Sequence, residues 1–253
     1  MAWLGGHRVH LARCESTNDE ALRLARDGAA HGTVVTADEQ TRGRGRAGRR
    51  WHSPPGRDLY WSAVLRPALA PAAVPGVTLA AGVAVCDVVR AAGVGAARLK
   101  WPNDVVVGPH GAHRKLAGIL TEMITRGATT DAVILGVGID VATRRAELPA
   151  ELAAIATSIA EEAGAAPTPA ALADALCAEL EGWLERYVAG GVAAIAGAWQ
   201  DRAGLGAGDP PAVEIGGRTG WALGLDHDGA LRVALDGGEV TRVVAGDVVE
   251  RTP

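Results

Sequence analysis

Gly43-Arg44-Gly45-Arg46-Ala47-Gly48-Arg49-Arg50-Trp51 sets four arginines and three glycines beside one large aromatic. Glycine lets the backbone take positive φ and come close to a ligand. Successive N–H groups in such a loop form an anion-binding nest. Arginine adds a planar, permanently charged fork that matches phosphate or carboxylate. The stretch is internal. Val34-Val35-Thr36-Ala37 before it and Leu59-Tyr60-Trp61-Ser62-Ala63-Val64-Leu65 after it are runs of strand-forming residues. A basic loop clamped between two strands reads as a ligand loop on an ordered fold, in contrast to a flexible Arg/Gly tail that binds RNA.

Working outward, Val9 to Ala12 reads as a short strand. Ser16-Thr17-Asn18-Asp19-Glu20 follows, rich in helix N-cap types, and opens a short helix ending near Gly28. Its hydroxyl and amide groups serve as a cap, as ligand contacts, or as both. Residues 71–93 form an Ala/Val-rich helix, started near Pro75 and stopped at Gly93. Arg98 to Trp101 alternates as a strand and is stopped by Pro102-Asn103-Asp104. Residues 105–107 and 116–125 make a hairpin about a turn at 108–112. A strand over 132–141 carries Gly136 and Gly138, which implies a close approach to its backbone. Short helical stretches over 147–166 precede a long helix from Thr168-Pro169 to about Tyr187 and another over roughly 190–203. Beyond residue 205, alternating runs at 211–215, 219–225, 230–235 and 239–244 are punctuated by Asp228-Gly229 and Asp236-Gly237-Gly238 hairpin signals. The expected class is α+β, divided into a larger domain over 1–203 and a small β-barrel over 204–253.

The 253 residues are 48% hydrophobic and carry a net charge of −4, with a pI near 6.0. That balance argues against a chain whose main partner is bulk nucleic acid. No signal-peptide pattern and no apolar run of about 18 residues is expected in this sequence, so no membrane partner is expected. Cys14, Cys86 and Cys177 are scattered and odd in number, which points to a reducing compartment, here the cytoplasm, and no disulfide framework. His110 and His113 have no further metal ligands nearby and read as a solvated hairpin tip. Lys100 and Lys115 are the only lysines among 25 Lys and Arg residues, and both sit in motif-like contexts. A lysine kept where arginine is otherwise used points to a site that needs a compact charge.

Five pieces then stand in order: Ser16-Thr17-Asn18; Gln40 with the Gly43–Trp51 loop; Lys100-Trp101-Pro102-Asn103-Asp104; Arg114-Lys115-Leu116-Ala117-Gly118-Ile119-Leu120; and Gly136-Val137-Gly138-Ile139. Their order and spacing resemble those of biotin–protein ligases, and the terminal β segment looks like that family's SH3-like domain. The resemblance implies a mixed sheet with helices of the class II aminoacyl-tRNA-synthetase type, plus a small SH3-like β-barrel. It implies that biotin and MgATP form biotinyl-5′-AMP, and that a lysine of a biotin carboxyl carrier domain of a carboxylase then takes the biotin. Lys115 and Arg46 become the catalytic cations. Ser16, Thr17, Asn18, Gln40, Arg44, Gly45, Gly118 and Gly138 join them around biotin. Gly43, Arg49, Trp51, Lys100, Asn103 and Asp140 fall to the nucleotide, and Asp104 to Mg²⁺. The family allows a monomer or a homodimer. The chain reaches Ser16 after fifteen residues, so an operator-binding winged helix is not expected. Two positions depart from the family pattern: Asp140 stands where Asn is common, and Ala156 where some members carry an aromatic. A lipoate–protein ligase shares the adenylation chemistry, but Gln40 with the Gly-Arg-Gly-Arg loop fits a ureido ring better. A non-catalytic RNA-binding module would use the basic loop but leave Lys100 and Lys115 unexplained.

Overall fold

The strand Leu59–Leu65 is buried at all seven positions, which requires a sheet covered on both faces. The structure, a computed structural model, describes residues 2–206 and 209–252. Residues 207 and 208, inside the 204–253 unit expected from sequence, lie outside the described residues. The main sheet contains β1 (Arg8–Leu11), β2 (Thr33–Ala37), β3 (Leu59–Leu65), β4 (Ala97–Lys100), β5 (Asp104–Val107), β6 (Arg114–Arg126) and β7 (Thr129–Ile139). Its order is β1-β2-β3-β7-β6-β5-β4. Only β1 and β2 pair in parallel; every other pair is antiparallel.

Strand alternation sorts the two faces. Leu59, Trp61, Ala63 and Leu65 of β3, with Val133, Leu135 and Val137 of β7, join the large core under α2 (Val74–Ala91) and α5 (Pro169–Gly190). Val64 and Ile134 face the other way, onto Ala21 and Ala25 of α1 (Thr17–Arg26). Residues 60, 62, 136 and 138 therefore look toward the α1 side, where the site forms. The helix α2 corrects one reading of the sequence. Pro71–Ala91 is long and apolar enough to cross a membrane by length and composition, and 72% of that window is buried. Here it is the core helix between sheet and α5.

Two short helices, α3 (Ala150–Ala153) and α4 (Ile159–Ala163), return the chain toward β6. After α6 (Ala196–Ala203), a second, antiparallel sheet is built from β8 (Ala212–Ile215), β9 (Arg218–Leu225), β10 (Leu231–Leu235), β11 (Val240–Val243) and β12 (Val249–Glu250) in the order β11-β10-β9-β8-β12. The four runs expected from sequence are there; the two-residue β12 has too little pattern to be read. Val213, Ala222, Leu231 and Val233 belong to the same core as Trp101 and Trp199, so the two sheets share one apolar interior. Trp101 Nε1 donates to the Gly229 carbonyl at 3.1 Å.

The 108–113 tip is not solvated as expected. Arg98 grips the Glu250 carboxylate with two bonds of 3.0 and 2.6 Å. His110 and His113 each bring Nδ1 to 3.2 Å from a Glu250 oxygen. Burial alone would raise the Glu250 carboxyl, but the two imidazoles beside it and the Arg98 guanidinium outweigh burial and hold the group well below the usual carboxylate range. The tip thus clips β12 to the β4–β5–β6 hairpin.

Candidate active site

The floor of the site is set by register. Tyr60 pairs with Gly138, which pairs with Gly118; Ser62 pairs with Gly136, which pairs with Leu120. Directly paired residues share a face, so glycines on β6 and β7 leave a trough where side chains would otherwise stand. A Cβ on Gly136 would lie 2.1 Å from Asn18 Oδ1, and one on Gly138 would lie 2.7 Å from the Trp51 indole. Gly136→Ala is expected to push Asn18 aside and to lower both stability, by about 1–3 kcal/mol, and ligand affinity. Thermal melts and calorimetric ligand titration check this; an unchanged affinity would separate Asn18 from the ligand.

One polar wall comes from the start of α1. Ser16 occupies the N-cap position but makes no capping side-chain bond. Instead the Thr17 N–H donates to Gln40 Oε1 at 2.8 Å, and Gln40 Nε2 donates to Ser53 Oγ at 3.0 Å. The Ser62 hydroxyl donates to Asn18 Oδ1 at 2.6 Å, and Asn18 Nδ2 donates to Glu122 Oε2 at 2.8 Å. Ser16, Thr17, Asn18 and Ser62 are all buried. Such a chained polar network is rigid because each member fixes the next.

The basic loop closes the top. Trp51 N–H donates to the Gly43 carbonyl at 2.9 Å, and Gly45 N–H to the Arg49 carbonyl at 2.7 Å. Ala47 takes φ +54, a left-handed conformation that costs a non-glycine residue energy. At Gly43 a Cβ would lie 2.6 Å from Ser53 Oγ and 2.7 Å from the Trp51 carbonyl, so only glycine fits there. Each of the four arginines has a distinct partner; Arg50 donates to the Thr41 carbonyl at 3.3 Å. Arg44 bonds Glu122 at 3.0 and 2.7 Å and pairs with Asp19 at 2.7 Å. Arg46 donates to Asn103 Oδ1 at 2.9 Å. Arg49 reaches across to Asp247, near β12, at 2.6 Å.

Lys115 closes the far end. Its ammonium lies 2.7 Å from Asp104 Oδ1 and 5.2 Å from the centroid of the Trp51 ring, a cation–π contact. The Trp51 indole crosses Gly118 and Gly138, and its Nε1 is buried with no acceptor among the described residues. The loop leaves about 50 Å³ beneath it, against the ~300 Å³ or more of a small-molecule site.

Of the residues expected from sequence, Ser16, Thr17, Asn18, Gln40, Arg44, Gly45, Arg46, Trp51, Asn103, Lys115, Gly118 and Gly138 line this one pocket. Gly43, Arg49, Lys100, Asp104 and Asp140 do not. Gly43 shapes the loop base, and Asp104 stands behind Lys115. Lys100 pairs across the hairpin with Asp104. Asp140 follows β7. Burial, then the neighbouring Asp58, raises its carboxyl well above the usual range against the opposing pull of Lys115. Sequence reasoning missed Tyr60, Trp61 and Leu120, which also line the pocket. It also missed Glu122, the counter-ion of Arg44, although period-2 alternation from Gly118 through Leu120 puts Glu122 on the same face.

Residues 11–140 match the biotin/lipoate A/B protein ligase family. The chain is 33% identical over 246 residues to the bifunctional ligase/repressor BirA of Bacillus subtilis, covering 97% of this chain and 74% of the relative. It is 36% identical over 246 residues to a biotin–[acetyl-CoA-carboxylase] ligase of Mycobacterium tuberculosis, covering 94% of this chain and 87% of the relative. Among solved structures it resembles biotin protein ligase from Aquifex aeolicus in complex with biotin and ATP, with a TM-score of 0.79, 26% identity, and coverage of 98% and 100% of the two chains. With the glycine-floored trough, the basic loop and Lys115 all in one pocket, the chain belongs to the biotin/lipoate A/B protein ligase family.

Proposed function

We propose that this protein is an ATP-dependent biotin–protein ligase, and that biotin lies in the trough between the α1 start and the basic loop. The observation that carries the reading is the convergence of Arg46 and Lys115, 69 positions apart, on a pocket whose opposite wall is neutral and polar. That pairing suits a ligand with a neutral, hydrogen-bonding head and an anionic tail. The ureido ring meets Ser16, Thr17, Asn18 and Gln40. The thiophane ring and valeryl chain lie along Gly118, Gly136 and Gly138, where the lack of side chains makes room.

In the first step a biotin carboxylate oxygen attacks the α-phosphorus of ATP, and the bond to pyrophosphate breaks. Two anions must meet, so the barrier is largely electrostatic and is lowered by fixed cations. Lys115 turns from Asp104 to bridge the carboxylate and the α-phosphate, and Arg46 turns from Asn103 to the phosphate oxygens. Arg49, Lys100, Gly43, Asn103, Trp51 and Asp140 are assigned to the nucleotide side. Asp104 Oδ1 is buried and, among the described residues, its partner is the Lys115 ammonium; once Lys115 turns to the ligands, a carboxylate oxygen of this kind suits Mg²⁺. Asp104 would hold that ion, which supplies neutralising charge on the phosphates. Closure of the loop then shields the mixed anhydride from water. In the second step a lysine amine attacks the acyl carbon and AMP leaves.

The acceptor in this reading is a biotin carboxyl carrier domain, and the compartment is the cytoplasm, where ATP is supplied. A groove of about 400 Å³ runs on from Arg46 and Asn103 between α2 and the second sheet, and we assign the approach of the acceptor lysine to it. The division into domains over 1–203 and 204–253, and a monomeric or homodimeric state, belong to the same proposal.

A thermal-shift titration tests it. Biotin alone raises the melting temperature, and biotin with MgATP raises it further as the adenylate forms. A shift with lipoate and none with biotin would transfer the chain to the lipoate branch of the family.

A further inference from the structure

Asp58 belongs to no motif, yet it is among the most heavily engaged carboxylates in the molecule. Its Oδ1 accepts the backbone N–H groups of Val141, Ala142 and Thr143 at 2.7, 3.1 and 3.2 Å, and its Oδ2 accepts the Thr143 hydroxyl at 2.5 Å. The residue is 2% exposed. Three N–H groups converging on one carboxylate oxygen make a rigid turn, because freeing any of them in a buried place costs its desolvation.

That turn is the first link of a backbone relay ending at Lys115. Within the same segment, Asp140 N–H donates to the Leu116 carbonyl at 2.9 Å, while the Asp140 carbonyl accepts Ile159 N–H at 3.0 Å. The returning segment then clasps Lys115 on both sides. Lys115 N–H donates to the Ile155 carbonyl at 2.7 Å, and Thr157 N–H donates to the Lys115 carbonyl at 2.9 Å. This Lys115–Ala156 bridge is parallel and lies outside the named strands. Lys115 also stands beside the register shift between Val105 and Val106, where the β5–β6 ladder is irregular. A bulged strand bends and re-aims its side chains, so the ladder alone does not fix the direction of Lys115.

We infer that Asp58 is a positioning residue for Lys115, acting through the 141–143 turn and the 155–159 segment. The inference rests on the role of Lys115 in the proposed reaction. Its physical content is that the aim of the ammonium is set from behind by a carboxylate that never meets the substrates. Misplacing a reacting group by about 1 Å costs about 10²-fold in rate, so loss of the turn shows in turnover before it shows in ligand binding.

The test compares Asp58→Ala, Asp58→Asn and Thr143→Val in the full chain. The readouts are biotin-dependent ATP–pyrophosphate exchange and amide hydrogen exchange. Asp58→Ala is expected to lower kcat about 10- to 100-fold with the KM for biotin within about twofold. Asp58→Asn keeps an acceptor oxygen for the three N–H groups and is expected to recover most of the rate. Amide exchange should quicken at Lys115 and Thr157 as well as at 141–143, and stay unchanged in β2. An unchanged kcat, kcat and KM moving together in both Asp58 variants, or faster exchange confined to 141–143 would overturn the inference. Should Asp58→Ala not fold, Thr143→Val decides: a lower kcat with faster exchange at Thr157 supports the relay, and wild-type values sink it. A wild-type protein without exchange activity would overturn the ligase reading instead, and the amide data would still decide whether Asp58 holds Lys115.

Discussion

Lys115→Ala lowers biotin-dependent pyrophosphate exchange by about 10²–10³-fold, or roughly 3 kcal/mol in the transition state, while biotin affinity changes far less. The magnitude is that of removing one preorganised donor aimed at developing charge. The asymmetry follows from position. Lys115 stands at the anionic end of the pocket with Asp104 at 2.7 Å, whereas Ser16, Thr17, Asn18 and Gln40 make the opposite wall. Single-turnover measurement of the adenylate at saturating biotin and MgATP isolates the step. Normal adenylate formation by the variant would remove Lys115 from the chemistry.

Replacement of Glu250 by Gln is expected to cost about 3–5 kcal/mol, the usual penalty for leaving one member of a buried ion pair alone. For a chain of this size that lowers the melting midpoint by roughly 6–20 °C. Arg98 is left facing a neutral amide, with the imidazoles of His110 and His113 beside it. The effect has a defined pH dependence. The folded-state pKa of Glu250 lies below its unfolded value. Its stabilisation is therefore complete above the unfolded pKa, near 4.3, and is lost as pH falls toward the folded value. The gap between wild type and Glu250→Gln should close by about 1.4 kcal/mol per pH unit below that point. Chemical denaturation at several pH values between 3 and 7 measures it. A gap that stays constant with pH would show that the carboxylate charge is not what holds β12.

Much of this molecule is written locally. The basic loop, the two lysine motifs, the glycines at 136 and 138 and the hairpin signals at 228–229 and 236–238 are local statements. Each specifies a backbone conformation or a charge that few other residues supply. Their common destination followed from a family resemblance rather than from periodicity. The helices over 74–91 and 169–190 were legible because their apolar positions repeat and Pro or Gly marks their ends. The nature of α2 was less so, since the apolar pattern of a core helix is also that of a membrane span.

Other features depend on partners distant in sequence. Asp58 looks like any acid before a strand until 141–143 folds onto it. Glu122 looks like a surface acid of a long hairpin until Arg44 and Asn18 meet it. His110 and His113 read as a solvated turn because their carboxylate partner lies some 140 residues further on. Burial of a charge is invisible to local pattern, because it depends on what the rest of the chain places around it.

The sequence by itself determined most of the elements and the charge of the basic loop, since each is a property of neighbouring residues. Only the tertiary structure decided which strands lie side by side, and hence that Gly118, Gly136 and Gly138 make one trough. It also decided which carboxylates hold Arg44, Arg49, Arg98 and Lys115. Strand register and charge pairing are contacts between remote segments, and their energies exist only once the chain has closed upon itself.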